Sequence, residues 1–456
     1  MKKLVWLIAV YAAAQQPRID LGVISAGERP TIAVPDFRGA GDAQAMMPQF
    51  NETLWRDLED SGYLKMVSKS MYPSAIPQQP SDFVQQSSPS AVPPRGKNQP
   101  APPSTGGGRW LSDWSGPPVN TKYLAFGYTA VTNGVLVLRG FLYDVTNPAG
   151  PQVLAQQYLG SVDATGARKV AHEFAADILK ALGGQSLSGS HIYFTSDRTG
   201  SQEIWVMDYD GGNQRQVTNY KSITNGPTVS PDGQKIAFTS WRNINPGIFV
   251  FSVDPVRSLG FYNQRASVNS TPSFTPDGKQ IVYASSAPND KCCRLFIANL
   301  DGTGFRPLTS LNKIEVEPKV NPKGNDILFV SGRSGPQQIY KMNMDGADVE
   351  RITDGTGEAS NPSWHPNGKV MAFSWTRGYS AGAWNVFIMD IASRRYDQLT
   401  HGEGKNENPS WSPSGTHLVF ASTRSGKAQI YSMPANGGPA RQLTNSGNNT
   451  KPVWGQ

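Results

Sequence analysis

The sequence contains little of the chemistry that most enzymes require. Among its 456 residues there are two cysteines and five histidines. It has no G-x-S-x-G elbow, no H-E-x-x-H zinc motif, no phosphate-binding loop and no dinucleotide fingerprint. The histidines are spread along the chain at His172, His191, His365, His401 and His417. No catalytic constellation emerges from this pattern, and we expect a protein that is not an enzyme.

Cross-linking cysteines and strong charge are also missing. Cys292 and Cys293 are adjacent, so they cannot link distant parts of the fold, and both a strained disulfide and an inert pair are open readings. The formal net charge of +7 is modest for this length. Because no Lys/Arg run or RNA-binding aromatic signature accompanies it, nucleic acid is not an expected partner.

Apolar runs are short everywhere except at the start of the chain. Residues 1–14 contain Lys2 and Lys3, then L-V-W-L-I-A-V-Y, then three alanines. This order is typical of a signal peptide, and the run is too short to span a bilayer. We expect an exported protein, which in a bacterium means the periplasm.

Proline and glycine are abundant, and six of the prolines recur regularly. Their spacings are 45, 46, 44, 47 and 43 residues. The six are Pro227, Pro272, Pro318, Pro362, Pro409 and Pro452. Each interval holds several short strands, which predicts the blades of a β-propeller. The first unit lacks a proline-led inner strand and the last unit is only such a strand. Together they complete a six-bladed propeller over residues 188–456, closed by the C-terminal strand.

Each proline starts an inner strand with an apolar residue two positions later. These residues are Val229, Phe274, Val320, Trp364, Trp411 and Trp454. Since side chains alternate along a strand, we expect them to point at the neighbouring blade. The Asp-Gly pairs in the blade turns suit tight hairpins. They leave open a weakly bound channel cation such as calcium, and no other cofactor is expected.

A different pattern precedes the ring and predicts a small α+β domain over residues 30–184. It has a strand at 30–37, a helix at 44–60, a hairpin turning at Asn133-Gly134, a third strand and a helix from about 166 to 182. Residues 73–109 are dominated by Pro, Ser, Gln and Gly, which predicts a mobile surface loop. The fold class is therefore multidomain, with this α+β domain followed by the all-β propeller.

Three local segments add specificity to this organisation. They are R-I-D-L-G-V-I-S-A-G-E-R-P-T-I-A-V-P-D-F, A-H-E-F-A-A-D-I-L-K-A-L-G-G and I-Y-F-T-S-D-R. With the signal peptide and the P-x-W-S-P-D-G units, the chain resembles the TolB family of the Tol-Pal system over nearly all its length. The resemblance implies a periplasmic, non-catalytic adaptor that supports envelope integrity and outer-membrane constriction during cell division.

The resemblance also implies two binding regions. The lipoprotein Pal would bind at the channel mouth, through the residues just ahead of the inner strands. These are Asn225, Gly226, Ser270, Thr271, Val316, Glu317, Ser360, Asn361, Glu407, Asn408, Thr450 and Lys451. The C-terminal domain of TolA would bind an N-terminal strand at 15–29, through Arg18, Ile19, Asp20 and Leu21. Peptidoglycan-associated outer-membrane proteins are further candidate partners, and we expect a monomer.

Two other functions stay open at this stage. Repeats of the S-P-D-G type also occur in propeller hydrolases and peptidases, so an exported enzyme acting through channel residues is the main alternative. Aromatic residues near the rim leave open direct binding to cell-wall carbohydrate.

Overall fold

The structure is a computed structural model and describes residues 19, 21, 29–84, 107–261, 263, 268–286, 293–310 and 313–456. The predicted signal peptide, Arg18, Asp20, Cys292 and residues 85–106 of the Pro-rich segment lie outside this description. Of the helices in the described part of the chain, none has the length and apolar character needed to cross a lipid bilayer.

The N-terminal domain is built on one mixed sheet. Its strands are β1 (Thr31–Ala33), β2 (Arg38–Ala40), β3 (Lys65–Met66), β4 (Tyr123–Thr132), β5 (Val135–Asp144) and β6 (Gln152–Gly160). Its helices are α1 (Met47–Asp60), α2 (Leu111–Ser115) and α3 (Ala164–Ala181). The sheet order is β3-β1-β4-β5-β6, with β2 also paired to β4. Pairing is parallel among β1 to β4 and antiparallel from β4 to β6, so the sheet is mixed as predicted.

Sequence periodicity explains how this domain packs. The apolar stripe of α1, which includes Phe50 and Leu54, is buried with Phe174 and Ile178 of α3 in one core against the sheet. The β4-β5 hairpin turns at Asn133 and Gly134, whose φ angles of 52° and 74° are those such a tight turn requires. The predicted hairpin and helices are present.

Part of the Pro-rich segment is packed rather than mobile. Phe83 stacks on Tyr143 with ring centroids 5.7 Å apart and meets Phe126 edge-on at 5.4 Å. Ile76 joins the same apolar cluster on the sheet face away from α1 and α3. Composition predicted a loop here, but these isolated apolar side chains bury enough surface to hold residues 73–84 against the sheet.

The propeller consists of six four-stranded antiparallel sheets. Blades 1 to 3 contain β7 (His191–Ser196), β8 (Glu203–Asp208) and β9 (Arg215–Gln216); β10 (Thr224–Val229), β11 (Lys235–Ser240), β12 (Gly247–Val253) and β13 (Val256–Ser258); and β14 (Asn269–Phe274), β15 (Gln280–Ser285), β16 (Arg294–Asn299) and β17 (Arg306–Pro307). Blades 4 to 6 contain β18 (Glu315–Val320), β19 (Asp326–Ser331), β20 (Gln338–Asn343) and β21 (Glu350–Arg351); β22 (Ala359–Trp364), β23 (Val370–Trp375), β24 (Asn385–Asp390) and β25 (Tyr396–Gln398); and β26 (Asn406–Trp411), β27 (His417–Ser422), β28 (Gln429–Pro434) and β29 (Arg441–Gln442). The final strand, β30 (Asn449–Gly455), is the inner strand of blade 1.

The last strand closes the ring, as the repeat pattern predicted. In β30, Asn449 is opposite Ser196 of β7, and Trp454 is opposite Ile192. The indole N–H of Trp454 donates to the Ser190 hydroxyl at 2.9 Å, and its backbone N–H donates to Ser410 Oγ of blade 6 at 3.1 Å. Blade 1 is therefore joined to blade 6 by residues from both ends of the propeller sequence.

Each repeated proline lies inside its inner strand and not at the start, where the sequence placed it. In blade 2, Asn225 pairs with Thr239 and Thr228 pairs with Ala237, so Gly226 and Pro227 oppose a single residue. The same register shift occurs in all six blades. This is a β-bulge, which accommodates a residue that has no N–H to give to the ladder.

Candidate protein-binding mouth of the propeller channel

The first residue of each bulge defines the channel mouth. These six residues, which we call the mouth ring, are Gly226, Thr271, Glu317, Asn361, Asn408 and Lys451. All have a left-handed backbone, with φ between 49° for Lys451 and 64° for Gly226. This conformation is unusual for residues with side chains, above all for β-branched Thr271. Such local strain clusters at functional sites, which makes the mouth ring the leading candidate.

Side chains of neighbouring blades hold the mouth ring in place. The backbone N–H of Thr271 donates to Thr239 Oγ1 at 3.1 Å, and that of Asn408 donates to Ser374 Oγ at 3.2 Å. Both acceptors lie on the second strand of the preceding blade. The strained backbone is therefore fixed before any partner arrives.

The carboxylate of Glu317 links blade 4 to blade 5. It accepts hydrogen bonds from the backbone N–H of Asn361 at 2.8 Å, from the Asn361 amide at 3.1 and 3.2 Å, and from the Ser360 hydroxyl at 3.1 Å. Its own N–H donates to Thr271 Oγ1 at 3.3 Å. A substitution of Glu317 would therefore disturb the ring as well as any partner.

The predicted rim residues divide into two groups. Seven line the channel: Asn225, Gly226, Thr271, Glu317, Asn361, Asn408 and Lys451. The other five do not line it but pair with the second strand of their blade: Ser270, Val316, Ser360, Glu407 and Thr450. Glu407 is partly buried, and burial raises its pKa, with the charge of Glu317 adding to the effect and that of Lys405 opposing it.

One charged side chain of the channel lining, among the described residues, escaped prediction. Lys319 follows Pro318 and lines the channel, where the other blades carry small or apolar residues. The sequence signal for it was the P-K-V-N-P-K-G unit at residues 318–324. The residue after the repeated proline is lysine in this unit and in none of the other five. The tryptophans two positions after the prolines do reach the neighbouring blade as expected: Trp364 Nε1 donates to the Lys319 carbonyl at 2.9 Å.

The channel encloses about 450 Å³. Within the described residues its lining contains three charged side chains, Glu317, Lys319 and Lys451. Burial lowers the pKa of both lysines while Glu317 raises it, and the charge of Lys451 further lowers the pKa of Lys319. One carboxylate already occupied by hydrogen bonds and two ammonium groups do not fit a resident cation such as calcium. Nor does the described part of the chain contain a group of three His, Cys, Asp or Glu that could hold a metal ion.

The described residues of the N-terminal segment lie far from the mouth. Ile19 is 8% exposed and packs among apolar residues of blades 5 and 6, and its N–H donates to Asp397 Oδ2 at 3.1 Å. Leu21 packs beside it, in a cleft of about 550 Å³ that is also lined by Ser61 and Gly62 of the N-terminal domain. Ile19 and Leu21 are not assigned to a strand, and residues 15–18, 20 and 22–28 of the predicted N-terminal strand lie outside the described residues.

A polar cluster joins the N-terminal domain to blade 1. His172 Nδ1 of α3 lies 2.6 Å from Asp57 Oδ2 of α1 and 2.7 Å from the Tyr209 hydroxyl of the propeller. Arg168 forms an ion pair with Asp210 at 2.6 Å. Burial alone would lower the pKa of His172, but hydrogen bonds to Asp210 and Asp57 outweigh it and raise the pKa to about 9. An imidazolium is therefore held between two carboxylates at the domain junction.

This junction leaves the mouth uncovered. In blade 1, the start of β30 is level with Ser196, whereas its end is level with His191 and Asp208. Asp210, which contacts α3, lies two residues after Asp208, so the N-terminal domain meets the ring on the face opposite the mouth ring. Within the part of the chain that the structure describes, the mouth and its channel are thus uncovered.

Together these features define a six-bladed β-propeller with a small α/β domain on one face and an open, strained mouth on the other. A family model described as the TolB beta propeller domain matches residues 201–380 and 354–456, which is more than half of the chain. The chain therefore belongs to the TolB β-propeller family.

Individual relatives agree with this assignment. A protein named TolB homolog from Chlorobium luteolum is 32% identical over 227 residues, which is 50% of each chain. Another from Chlorobaculum tepidum is 34% identical over 186 residues, 41% of each chain. The matches thus span about half the length of these curated relatives or less. The crystal structure of TolB from Acinetobacter baumannii superposes with a TM-score of 0.72 at 21% identity, covering 94% of this chain and 97% of that one, and shares the fold.

Proposed function

We propose that this protein is a non-catalytic, periplasmic adaptor of the Tol-Pal system that binds Pal at the mouth ring. The observation that carries the proposal is the ring of six left-handed residues around an open channel, on the face that the N-terminal domain leaves free. A rigid concave site of this kind accepts a protruding segment of a folded partner without reorganising. Family membership supports the choice of Pal as that partner.

The second part of the proposal concerns TolA. We infer that residues 15–29 bind the C-terminal domain of TolA when they leave the cleft beside blades 5 and 6. Free of the body, an extended peptide of this length can add a strand to the edge of a partner's sheet. Because Ile19 and Leu21 are packed in the cleft, docking and TolA binding exclude one another. The protein would thus couple the inner membrane to Pal at the outer membrane.

Blocking the mouth tests the Pal proposal. The full mature chain should bind the soluble domain of Pal from the same cell at micromolar or tighter affinity in calorimetry. Asn408→Trp places a large side chain at the channel entrance and should abolish this binding. Asn133→Trp is the matched control, because Asn133 also has a left-handed backbone, φ 52° against 56°, but lies in the exposed β4-β5 turn. Equal binding by both variants, or none by the unmodified protein, would contradict the proposal.

The TolA proposal has its own test. A chain lacking residues 15–27 should lose binding to the TolA C-terminal domain and keep binding to Pal. Asp397→Ala removes the acceptor for the Ile19 N–H without altering the segment itself, so it should release the segment and tighten TolA binding about 2- to 10-fold, as expected for one hydrogen bond. Unchanged TolA binding in the truncated chain would show that another surface is used.

A further inference from the structure

Two lysines line opposite walls of the propeller channel. Lys319 belongs to the inner strand of blade 4 and Lys451 to the inner strand of blade 1. Blades 1 and 4 are diametrically opposed in a ring of six, and Lys319 lies two residues further along its strand than Glu317, the residue equivalent to Lys451. Both side chains line the same cavity of about 450 Å³. The channel therefore presents an ammonium group from each of two opposite walls.

Among the described residues, neither ammonium group forms an ion pair. In the described part of the chain no carboxylate oxygen lies within 4 Å of either Nζ, and the one hydrogen bond of Lys451 Nζ goes to the amide oxygen of Asn225 at 3.2 Å. Glu317 is the charged neighbour of both, but its oxygens already accept four hydrogen bonds from Ser360 and Asn361. Both lysines are also partly buried. Charges held in this way are costly unless something pairs with them.

The residues of the channel walls strengthen the electrostatic field of the two lysines. The lining includes all six repeated prolines and the tryptophans Trp364, Trp411 and Trp454. Weakly polar walls concentrate the field of these two lysines on whatever enters the channel. Lysine at the position of Lys319 is particular to blade 4, because the equivalent residues are Thr228, Ser273, Ser363, Ser410 and Val453.

We propose that the channel is a carboxylate-binding site, in which an Asp or Glu side chain of the bound partner lies between Lys319 and Lys451. This rests on the proposed function, since it assigns chemistry to the partner segment that enters the mouth. A carboxylate accepts from two donors at once, so it pairs with both ammonium groups and removes their mutual repulsion. The cavity accommodates a side chain or a short loop, and the ring of Thr271, Asn361 and Asn408 surrounds its entrance.

The first test uses small probes and the full mature chain. Acetyl-Gly-Glu-Gly-amide and acetyl-Gly-Gln-Gly-amide have nearly the same shape and differ in one charge. In titrations followed by NMR with the lysine side chains labelled, the Glu peptide should shift the Lys319 and Lys451 signals, and the Gln peptide should bind at least about tenfold more weakly. Equal binding of the two peptides would overturn the proposal without any mutation.

Variants provide the second test. Lys319→Met with Lys451→Met should abolish discrimination between the peptides, whereas replacing both lysines by Arg should retain it. Lys405→Met is the control, because it removes an exposed lysine outside the channel. Discrimination that survives in the double Met variant would also overturn the proposal. The Arg variant and the peptide pair keep the test decisive if the double Met variant does not fold.

The Pal domain then separates this inference from the proposed function. If Pal binds the unmodified protein at least about tenfold more tightly than the double Met variant, the carboxylate site and the mouth proposal are both supported. If Pal binds the two equally, the carboxylate site is wrong and the mouth proposal stands. If Pal does not bind the unmodified protein while the Glu peptide does, the partner is wrong and the site stands.

Discussion

At the scale of single residues, a threonine at an equivalent position makes the same hydrogen bond in five blades. It lies two residues after the end of the fourth strand, and its Oγ1 accepts the N–H of an aliphatic residue near the start of the third strand at 2.8–3.1 Å. The threonines are Thr218, Thr309, Thr353, Thr400 and Thr444. All are buried, so each satisfies a buried donor that the ladder of strands leaves unpaired.

Removing one of these hydroxyls should destabilise the propeller. Thr353 Oγ1 accepts from the Ile339 N–H at 3.1 Å and donates to Gln338 Oε1 at 2.7 Å. Thr353→Val keeps the shape but leaves both groups without a partner, so we expect a loss of about 1–3 kcal/mol in the free energy of unfolding, measured by urea denaturation. Thr353→Ser retains the hydroxyl and should lose less. A serine variant as unstable as the valine variant would show that packing and not hydrogen bonding decides the loss.

The same scale shows what the sequence could and could not predict about the site. It identified the residues before each proline, because the repeat marks them. It could not tell which of the two faces the channel, since the bulge inserts a residue and shifts the alternation of side chains. Glu317 and Val316 are neighbours in sequence, yet only Glu317 lines the cavity. Lys319 departs from the residue types at the equivalent positions of the repeat. Its role could be inferred only from the structure, which places Lys451 on the opposite wall of the channel.

At the scale of elements, the junction between α1, α3 and the β8-β9 turn could not be predicted from the sequence. His172 and Asp57 are 115 positions apart, and Asp210 belongs to a different domain. Helix periodicity predicted that α1 and α3 pack on the sheet, but it says nothing of how the other faces of these helices meet the ring. The contacts arise from the relative placement of two folds, which no local pattern encodes.

This junction predicts a pH dependence of stability. His172 has a pKa of about 9 in the folded protein, and about 6.5 is expected in the unfolded chain. A raised pKa stabilises the folded state fully below pH 6.5, and this contribution disappears as the pH rises through 9. The unfolding free energy should fall between these values by on the order of 3 kcal/mol. In His172→Gln, urea denaturation should show a flatter profile over that interval.

Several charged and polar groups surround His172 and could also affect the pH dependence of stability. Asp57, Asp210, Tyr209 and the Arg168 guanidinium surround it, and the pKa of Asp210 is lowered because its hydrogen bond to His172 and the charge of Arg168 outweigh the opposing effect of burial. Asp210 is therefore ionised throughout the interval and does not contribute to the slope. His191→Gln serves as the control, because that side chain is 42% exposed. A control profile as flat as that of His172→Gln would refute the assignment.

At the scale of the whole molecule, six sheets of similar sequence are held in a circle by one joint between the two ends of the propeller sequence. The repeat predicted this closure because the first unit lacks an inner strand and the last unit supplies one. Five of the six blades are each made from one continuous segment, whereas blade 1 depends on β30 reaching β7 across more than 250 residues. The joint between blade 6 and blade 1 is thus where the ring can open.

Substitutions of two tryptophans at equivalent positions distinguish the effect of ring closure from the effect of packing between blades. Trp454 of β30 and Trp364 of β22 are 6% and 9% exposed, so truncation of either to Ala should cost about 3–5 kcal/mol. Only Trp454→Ala weakens the joint, because it removes the indole that packs among residues of blades 1 and 6 and donates to Ser190. Hydrogen exchange should therefore rise selectively in β30 and β7 in that variant, and protection should fall evenly across the ring in Trp364→Ala. If β30 and β7 keep equal protection in both variants, the ring is not opened at this joint, and its closure depends on the blade interfaces as a whole.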